Sequence, residues 1–381
     1  MVVASALSVL LVVPALGQTP PSADAADAAL ATDIAQLMFR DVDWRARMLA
    51  GEDVDAQAAR SGIAAAWTPL LKQALSDEAD HARDDIDPAI ASYFTRAFTP
   101  DELVAGDALM HGDAGAYVTQ VYSDPTHKPT PTDSVRQAFS QALATPAGSG
   151  FLHKLDALGR HPAALDDITR PAFALGFLDR LAGQIAQSDV GRAAAEEPQT
   201  DLQRHLLEAI AILFRDVDYS GLVAHDFNAA GVASLPERPE WPGLMKQSAI
   251  DTAAADHHEI DRILAMSLSG SFTQDEVDAA LVVLRTPEGA AISRKVADAA
   301  SGQPAQSSKD ADVATRRLAQ TEAGRRFMDK ISRFGRLAET ATPQIVAFEA
   351  PRILHRFVEQ ARALEASRPP LSMTQATAPA S

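Results

Sequence analysis

The sequence MFRDVDW at Met38–Trp44 returns as LFRDVDY at Leu213–Tyr219, 175 positions further along the chain. Three more blocks return in the same order at offsets of 174 to 176: Trp67–Gln73 at Trp241–Gln247, Phe98–Glu102 at Phe272–Glu276, and Thr145–Gly148 at Thr321–Gly324. Four ordered matches at nearly constant spacing indicate an internal duplication. We therefore predict two repeats, over residues 29–187 and 201–365, joined by a linker at 188–200.

Each repeat carries the apolar spacing of amphipathic helices. Leu202, Leu206 and Ile210 recur every four residues, which places them on one helical face, and Ile34 and Met38 share this spacing in the first repeat. Long alternating runs of β-branched and aromatic residues are missing from the sequence, and Ala is abundant. The predicted class is all-α, a tandem duplication of an irregular multi-helix bundle.

Two helix starts are predicted from local chemistry. Thr99 and Thr273 each stand three residues before a Glu, in TPDE and TQDE. In such a capping box the Thr hydroxyl accepts a backbone amide, and the Glu carboxylate reaches back to the Thr amide. Pro88 is expected in the first turn of its own helix, where a backbone N–H has no helical partner to lose.

The first 17 residues, MVVASALSVLLVVPALG, are uncharged and mostly apolar. This pattern is typical of the core of a signal peptide and is shorter than the ~20 residues that a membrane-spanning helix needs. We predict cleavage after Gly17 and a secreted or periplasmic chain without a stable membrane span. The usual positive charges ahead of the core are missing, so an upstream start codon or an uncleaved anchor stays open. Residues 18–28 and 366–381, rich in Pro, Ser, Thr and Ala, are predicted to be disordered.

Composition excludes several classes of function. The chain has 51 Asp and Glu against 34 Lys and Arg, a formal net charge of -17, which disfavours binding to nucleic acid. It has no Cys, which removes disulfides, Cys-ligated zinc, iron–sulfur clusters and thiol nucleophiles. It also lacks a phosphate-binding glycine loop and a GxSxG string. We predict no cofactor and no nucleic-acid partner, and the balance favours a non-enzyme.

The string DHHEID that ends at Asp261 most resembles a metal site, because His257 and Asp261 would share a helical face. A metalloprotease helix requires HExxH, and Arg262 stands where the second His of that motif belongs. In the first repeat, Arg83 and Asp84 replace both His residues. We therefore predict no metal site, with His257 and Asp261 as a weaker alternative.

Six aromatic residues recur in pairs between the repeats: Phe39 with Phe214, Trp67 with Trp241, and Phe98 with Phe272. Large aromatic side chains bury ~150 to 250 Å² each, so one interpretation is that they anchor equivalent cores. The other is that they line an apolar groove open to a lipid tail, a peptide helix or a partner surface. The sequence leaves both interpretations open.

Short glycine motifs follow the capping boxes, among them Asp113–Gly115 and Thr286–Gly289. This succession, FT-x-D/E-E and then a small residue, Pro, any residue and Gly, resembles the family called domain of unknown function 2059. The resemblance covers roughly 60 to 70 residues of each repeat. It departs at Met110–Gly112 and Leu284–Thr286, where the family has an aromatic pair before Ser-Pro. It implies an exported, all-helical protein of Gram-negative bacteria, with no activity attached.

These features predict an exported, non-catalytic helical binding or interaction module of the bacterial envelope. Its partner would be an unidentified envelope protein or an apolar ligand. The alternative is an envelope hydrolase or metal-dependent enzyme that uses the acidic and His clusters at 80–87 and 256–261. Convergence of those clusters in one cleft would favour the enzyme. A third hypothesis is a purely structural role in which the two repeats pack on each other.

Overall fold

The computed structural model describes residues 23–49, 67–124, 129–160, 162–226, 235, 238–301 and 308–369. Every regular element within these ranges is helical, which confirms the predicted all-α class. The first eight helices are α1 (Ala23–Met38), α2 (Trp44–Leu49), α3 (Thr68–Ala97), α4 (Pro100–Met110), α5 (Asp113–Ser123), α6 (Asp133–Leu143), α7 (Pro146–Arg160) and α8 (Pro162–Gln187). The next six are α9 (Asp189–Ala194), α10 (Asp201–Phe214), α11 (Tyr219–Asp226), α12 (Trp241–Ala255), α13 (His257–Leu268) and α14 (Gln274–Leu284). The last five are α15 (Pro287–Ala290), α16 (Ile292–Ala300), α17 (Lys309–Leu318), α18 (Glu322–Ser332) and α19 (Phe334–Ser367).

The chain divides into two compact units. Unit 1 comprises residues 1–43, 87–165 and 369–381, and unit 2 comprises residues 44–86 and 166–368. The units differ from the predicted repeats, because residues 44–86 and 166–187 of the first repeat belong to unit 2 together with the whole second repeat.

The prediction that Pro88 begins a helix is wrong. Pro88 lies inside α3, a helix of 30 residues, close to the point where the chain passes from unit 2 to unit 1. A proline inside a helix loses one backbone hydrogen bond and costs ~3 kcal/mol. The apolar side chains on either side of it, Ile86 and Ile90, are completely buried, and their burial offsets this cost.

A four-helix core in unit 2 combines segments from both predicted repeats. The first half of α3 and α8 come from the first repeat, and α12 and α19 come from the second. Equivalent positions supply equivalent contacts, because Leu178 and Leu181 of α8 correspond to Leu354 and Phe357 of α19, 176 residues later. Two amphipathic helices from each repeat therefore bury their apolar faces against one another.

Separate cores stabilise the rest of each unit. In unit 2, α10, α13, α14, α17 and α18 enclose a second apolar cluster around Leu213, Leu264 and Phe327. In unit 1, α1 packs on α4 and α5, and α4 packs on α7. Phe39 and Phe151 are buried in that arrangement.

Both predicted capping boxes are confirmed. The Thr99 amide donates to Glu102 Oε2 at 2.8 Å, and the Glu102 amide donates to the Thr99 hydroxyl at 3.3 Å. The Thr273 amide donates to Glu276 Oε2 at 3.0 Å, with the return bond at 3.4 Å. Helices α4 and α14 therefore start where the local sequence places them.

The repeated glycines have a steric reason that the sequence alone did not reveal. Each stands three residues after a capping side chain, where the new helix folds closely against the end of the helix before it. A Cβ on Gly148 would lie 2.4 Å from the Ala142 carbonyl oxygen, and one on Gly324 would lie 2.2 Å from the Leu318 carbonyl oxygen. These are backbone atoms, so only glycine permits so close an approach.

Helical structure also extends into segments predicted to be linker or disordered. The predicted linker at 188–200 contains α9, which packs against α19 and buries Ala194. Helix also replaces the predicted disorder at 23–28 and 366–367. The predicted signal peptide with its cleavage site at Gly17, and residues 370–381, lie outside the described residues. Within the described ranges, no helix combines the length and the apolar character that crossing a membrane requires.

Candidate functional site

The six paired aromatic side chains occupy the cores of the two units. Phe39 and Phe98 are buried in unit 1. Trp241 is 1% exposed in the four-helix core, and Trp67 packs against the same core while remaining partly exposed. Phe214 and Phe272 belong to the second apolar cluster of unit 2. Five of the six side chains are thus buried, and the apolar groove stays a prediction.

In each unit, a lysine forms an ion pair with the Glu of the capping box and also contacts a Phe ring. Lys154 Nζ lies 2.5 Å from Glu102 Oε2 and 5.4 Å from the ring centroid of Phe98, which packs on Phe151. Burial alone would raise the pKa of Glu102, but the hydrogen bonds from Lys154 and the Thr99 amide hold it below its ordinary value. The carboxylate is thus kept ionised and bonded on two sides, which suits a structural role.

Unit 2 has the same ion pair and the same lysine–aromatic contact. Lys330 Nζ lies 2.5 Å from Glu276 Oε2 and 5.4 Å from the ring centroid of Phe272. Phe272 packs on Phe327 with ring centroids 5.4 Å apart, against 5.2 Å for the pair in unit 1. These matched contacts agree with the predicted duplication, which stays a prediction at the level of the whole repeats.

The string that ends at Asp261 forms a buried polar contact that the sequence did not anticipate. The Tyr219 hydroxyl donates to Asp261 Oδ1 at 3.1 Å, and His257 Nε2 lies 3.8 Å from Asp261 Oδ2. Burial raises the pKa of Asp261 despite the neighbouring His257 and the bond from Tyr219. Arg262 points elsewhere and donates to the Ala194 carbonyl oxygen at 3.0 Å. Asp261 and Arg262 therefore each have a partner within the fold.

Within the described residues, one group of three side chains has metal-ligand spacing, and sequence reasoning missed it. The ligand atoms of Asp33, Asp107 and His111 lie within 4.8 Å of one another. His111 Nε2 is 2.6 Å from Asp33 Oδ2, which is hydrogen-bond distance. Burial, followed by the hydrogen bond with Asp33, raises the pKa of Asp107.

The second repeat offers a direct comparison for this group. Asp33 corresponds to Glu208 at an offset of 175, and His111 corresponds to Arg285 at an offset of 174. Arg285 Nε and Nη2 each lie 2.7 Å from a carboxylate oxygen of Glu208. In unit 2, this ion pair joins α10 to the end of α14. In unit 1, the Asp33–His111 contact joins α1 to the end of α4 in the same way.

The acidic string at 80–87 belongs to an ion network beside the four-helix core. Glu78 is completely buried, and its Oε2 accepts a hydrogen bond from Arg180 at 2.6 Å. Asp85 pairs with Arg362 at 3.2 Å. A Cβ on Gly176 would lie 2.5 Å from Glu78 Oε1 and 2.6 Å from Asp85 Oδ2, so this glycine makes room for both carboxylates.

Burial favours the protonated form of Glu78. Burial raises the pKa of Glu78 to about 7, and the Arg180 hydrogen bond only partly offsets it. Burial, with a contribution from the nearby Asp256 carboxylate, also raises the pKa of Glu349 on α19 to about 7. Sequence reasoning missed both residues because burial, the main cause of both shifts, arises only in the tertiary fold.

The two predicted clusters have different partners. Asp80 and Asp85 in the first string pair with Arg45 and Arg362. In the second string, Asp256 lies 3.4 Å from Arg352, and Glu259 Oε2 accepts from Arg262 at 2.7 Å. These contacts describe two ion networks, each held by its own arginines.

We expect the free energy of unfolding to fall as pH rises from about 4.5 to about 7. Glu78 and Glu349 have an ordinary pKa of 4.5 and a pKa of about 7 in the fold, so the folded state holds their protons over this window. Their contribution is complete below about pH 4.5 and is lost as pH passes the folded value. At ~1.4 kcal/mol for each pKa unit, each residue contributes up to about 3 kcal/mol.

Urea denaturation at pH 5 and pH 8 measures this dependence. The E78Q/E349Q double variant should flatten it, whereas E322Q, at an exposed carboxylate that pairs with Arg326, should leave it unchanged. An equally steep dependence in the double variant would show that other groups cause it.

No family model, curated protein or solved structure matches this chain. The resemblance to domain of unknown function 2059 therefore stays a prediction, and the functional inference depends on the residues themselves.

Proposed function

We propose that the chain is a non-catalytic helical binding or interaction module exported to the bacterial envelope. The observation that carries this proposal is that three carboxylates of the two suspected catalytic clusters bond to side chains of other helices. Asp85 pairs with Arg362, Asp80 with Arg45, and Asp261 accepts from Tyr219. A general acid or base must reach a substrate proton within hydrogen-bond distance. These three carboxylates already bond to side chains of other helices, which supports a structural use of both clusters rather than a catalytic one.

The location in the envelope rests on the uncharged apolar segment at residues 1–17. Expression of the full chain in a Gram-negative host, followed by fractionation and N-terminal sequencing, tests it. We expect a periplasmic or secreted protein that begins at Gln18. An intact Met1 on protein retained in the membrane fraction would contradict export by cleavage.

A metal-dependent enzyme is the second candidate, because Asp33, Asp107 and His111 have ligand spacing. Plasma mass spectrometry of the protein after incubation with zinc or manganese and extensive dialysis separates the two proposals. We expect metal well below one ion per chain, equal in the wild type and in H111A. Stoichiometric metal that H111A loses would replace the non-catalytic proposal with a metalloprotein.

A further inference from the structure

A group of arginines gathers where α17 ends. Arg316 and Arg317 occupy the last turn of this helix, and Arg325 Nη1 donates to the Ala319 carbonyl oxygen at 3.1 Å. All three side chains are exposed. In the part of the chain that the structure describes, none of the three forms an ion pair with a carboxylate. Arg317 lies within electrostatic range of the Glu288 carboxylate, and Arg316 of the Asp312 carboxylate, which Lys295 also bonds. We call Arg316, Arg317 and Arg325 the arginine group.

The surrounding segment differs in charge from the rest of the chain. Residues 287–333 carry nine Lys and Arg against six Asp and Glu, within a chain of net charge -17. The equivalent residues 111–157 of the first repeat carry three Lys and Arg against four Asp and Glu. The excess of positive charge is therefore specific to the second repeat.

The first repeat shows that this part of the fold forms without arginines at the equivalent positions. Helix α6 corresponds to α17, and each begins after a hydroxyl cap, Thr132 or Ser308, whose side chain accepts the amide three residues on. Positions equivalent to the arginine group hold Ser140, Gln141 and Ser149. Basic residues at a helix end can stabilise it through the helix dipole, yet the last turn of α6 has none. The arginine group is therefore not needed for this helix end to form.

We infer that the arginine group is a docking surface for anionic lipid headgroups on a membrane. A guanidinium group donates paired hydrogen bonds to phosphate oxygens, and a membrane presents a dense layer of such phosphates. Screening limits the reach of remote charges to about 8 Å at physiological ionic strength, so the net charge of the chain does not cancel a local cluster. An exposed cluster at a helix end can approach a flat surface without insertion. This inference deepens the proposed function, since an envelope protein works beside a membrane.

Sedimentation with lipid vesicles tests the docking surface directly, wherever the protein resides in the cell. We expect the purified full chain to bind phosphatidylglycerol vesicles at low salt, to release them at high salt, and to ignore phosphatidylcholine vesicles. The variant R316S/R317Q/R325S installs the residues of the first repeat, so it should keep the melting temperature. Each basic residue near an anionic surface contributes roughly fivefold to binding, so the variant should lose roughly a hundredfold.

The matched control R136S/R160S/R192S removes three exposed arginines that form local ion pairs. It changes net charge by the same amount and should bind like the wild type. Failure of the wild type to bind phosphatidylglycerol vesicles would overturn the inference, as would equal losses in both triple variants. Because no step depends on export, a negative result here leaves the N-terminal sequencing experiment as an independent test of the proposed function.

Discussion

Trp241→Ala lowers the free energy of unfolding by about 3 to 5 kcal/mol, the range expected for removing a large buried aromatic side chain. Trp241 is 1% exposed, and its ring meets Phe357 edge-on with centroids 5.5 Å apart. Leu178 and Leu181 of α8 belong to the same apolar cluster. The substitution would therefore leave a cavity where helices from both predicted repeats meet. We expect this cavity to lower the stability of the whole of unit 2.

Trp67→Ala is the matched control, because Trp67 is the equivalent residue of the first repeat and packs against the same core while partly exposed. Since it buries less apolar surface, its loss should cost about 1 to 2 kcal/mol. Urea denaturation followed by circular dichroism avoids the loss of tryptophan fluorescence in either variant. Equal costs for the two substitutions would contradict the unequal burial described above.

Arg238→Met should be comparably destabilising, by about 3 to 5 kcal/mol. The Arg238 side chain is 2% exposed and sits between two carboxylates. It donates to Asp167 Oδ1 at 2.7 Å and to both carboxylate oxygens of Glu365, at 2.6 and 2.8 Å. The substitution leaves two partly buried negative charges without their shared partner. It also removes the hydrogen bonds through which Arg238, which precedes α12, connects α8 with α19.

Arg362→Met provides the comparison, because Arg362 also lies between two carboxylates, Asp85 and Asp179, but is 47% exposed. Solvent screens that interaction, so the cost should stay below about 1 kcal/mol. Adding D167N and E365Q to R238M should restore part of the stability, because it removes the uncompensated charges. No recovery in that triple variant would show that packing of the arginine stem, rather than charge, dominates.

Local chemistry explains why parts of the fold were predictable. A capping box needs only four consecutive residues, so Thr99 and Thr273 identify two helix starts without knowledge of any tertiary contact. Periodicity similarly places Ile34 and Ile210 on buried faces. The prediction for Pro88 was wrong because the helix rule for proline describes a local preference, and burial of Ile86 and Ile90 overrides it.

The candidate sites were less predictable because their members are distant in sequence. Glu78 meets Arg180, and Asp33 meets His111, across 102 and 78 residues. The predicted duplication can be compared with contacts that only the structure gives. Lys154 and Lys330 form the same contacts in the two repeats, each with the Glu of a capping box. The arginine group, in contrast, has no counterpart in the first repeat.

By itself, the amino-acid order determined the helical class, the two capped helix starts and the recurrence of blocks 174 to 176 residues apart, since these depend on neighbouring residues or on simple self-comparison. Only the tertiary structure decided which helices share a core, that Trp67 and Trp241 pack into the same one, and which charges are buried. The physical reason is that burial and ion pairing depend on distances between chain segments, and those distances arise only when the apolar faces of the helices pack together.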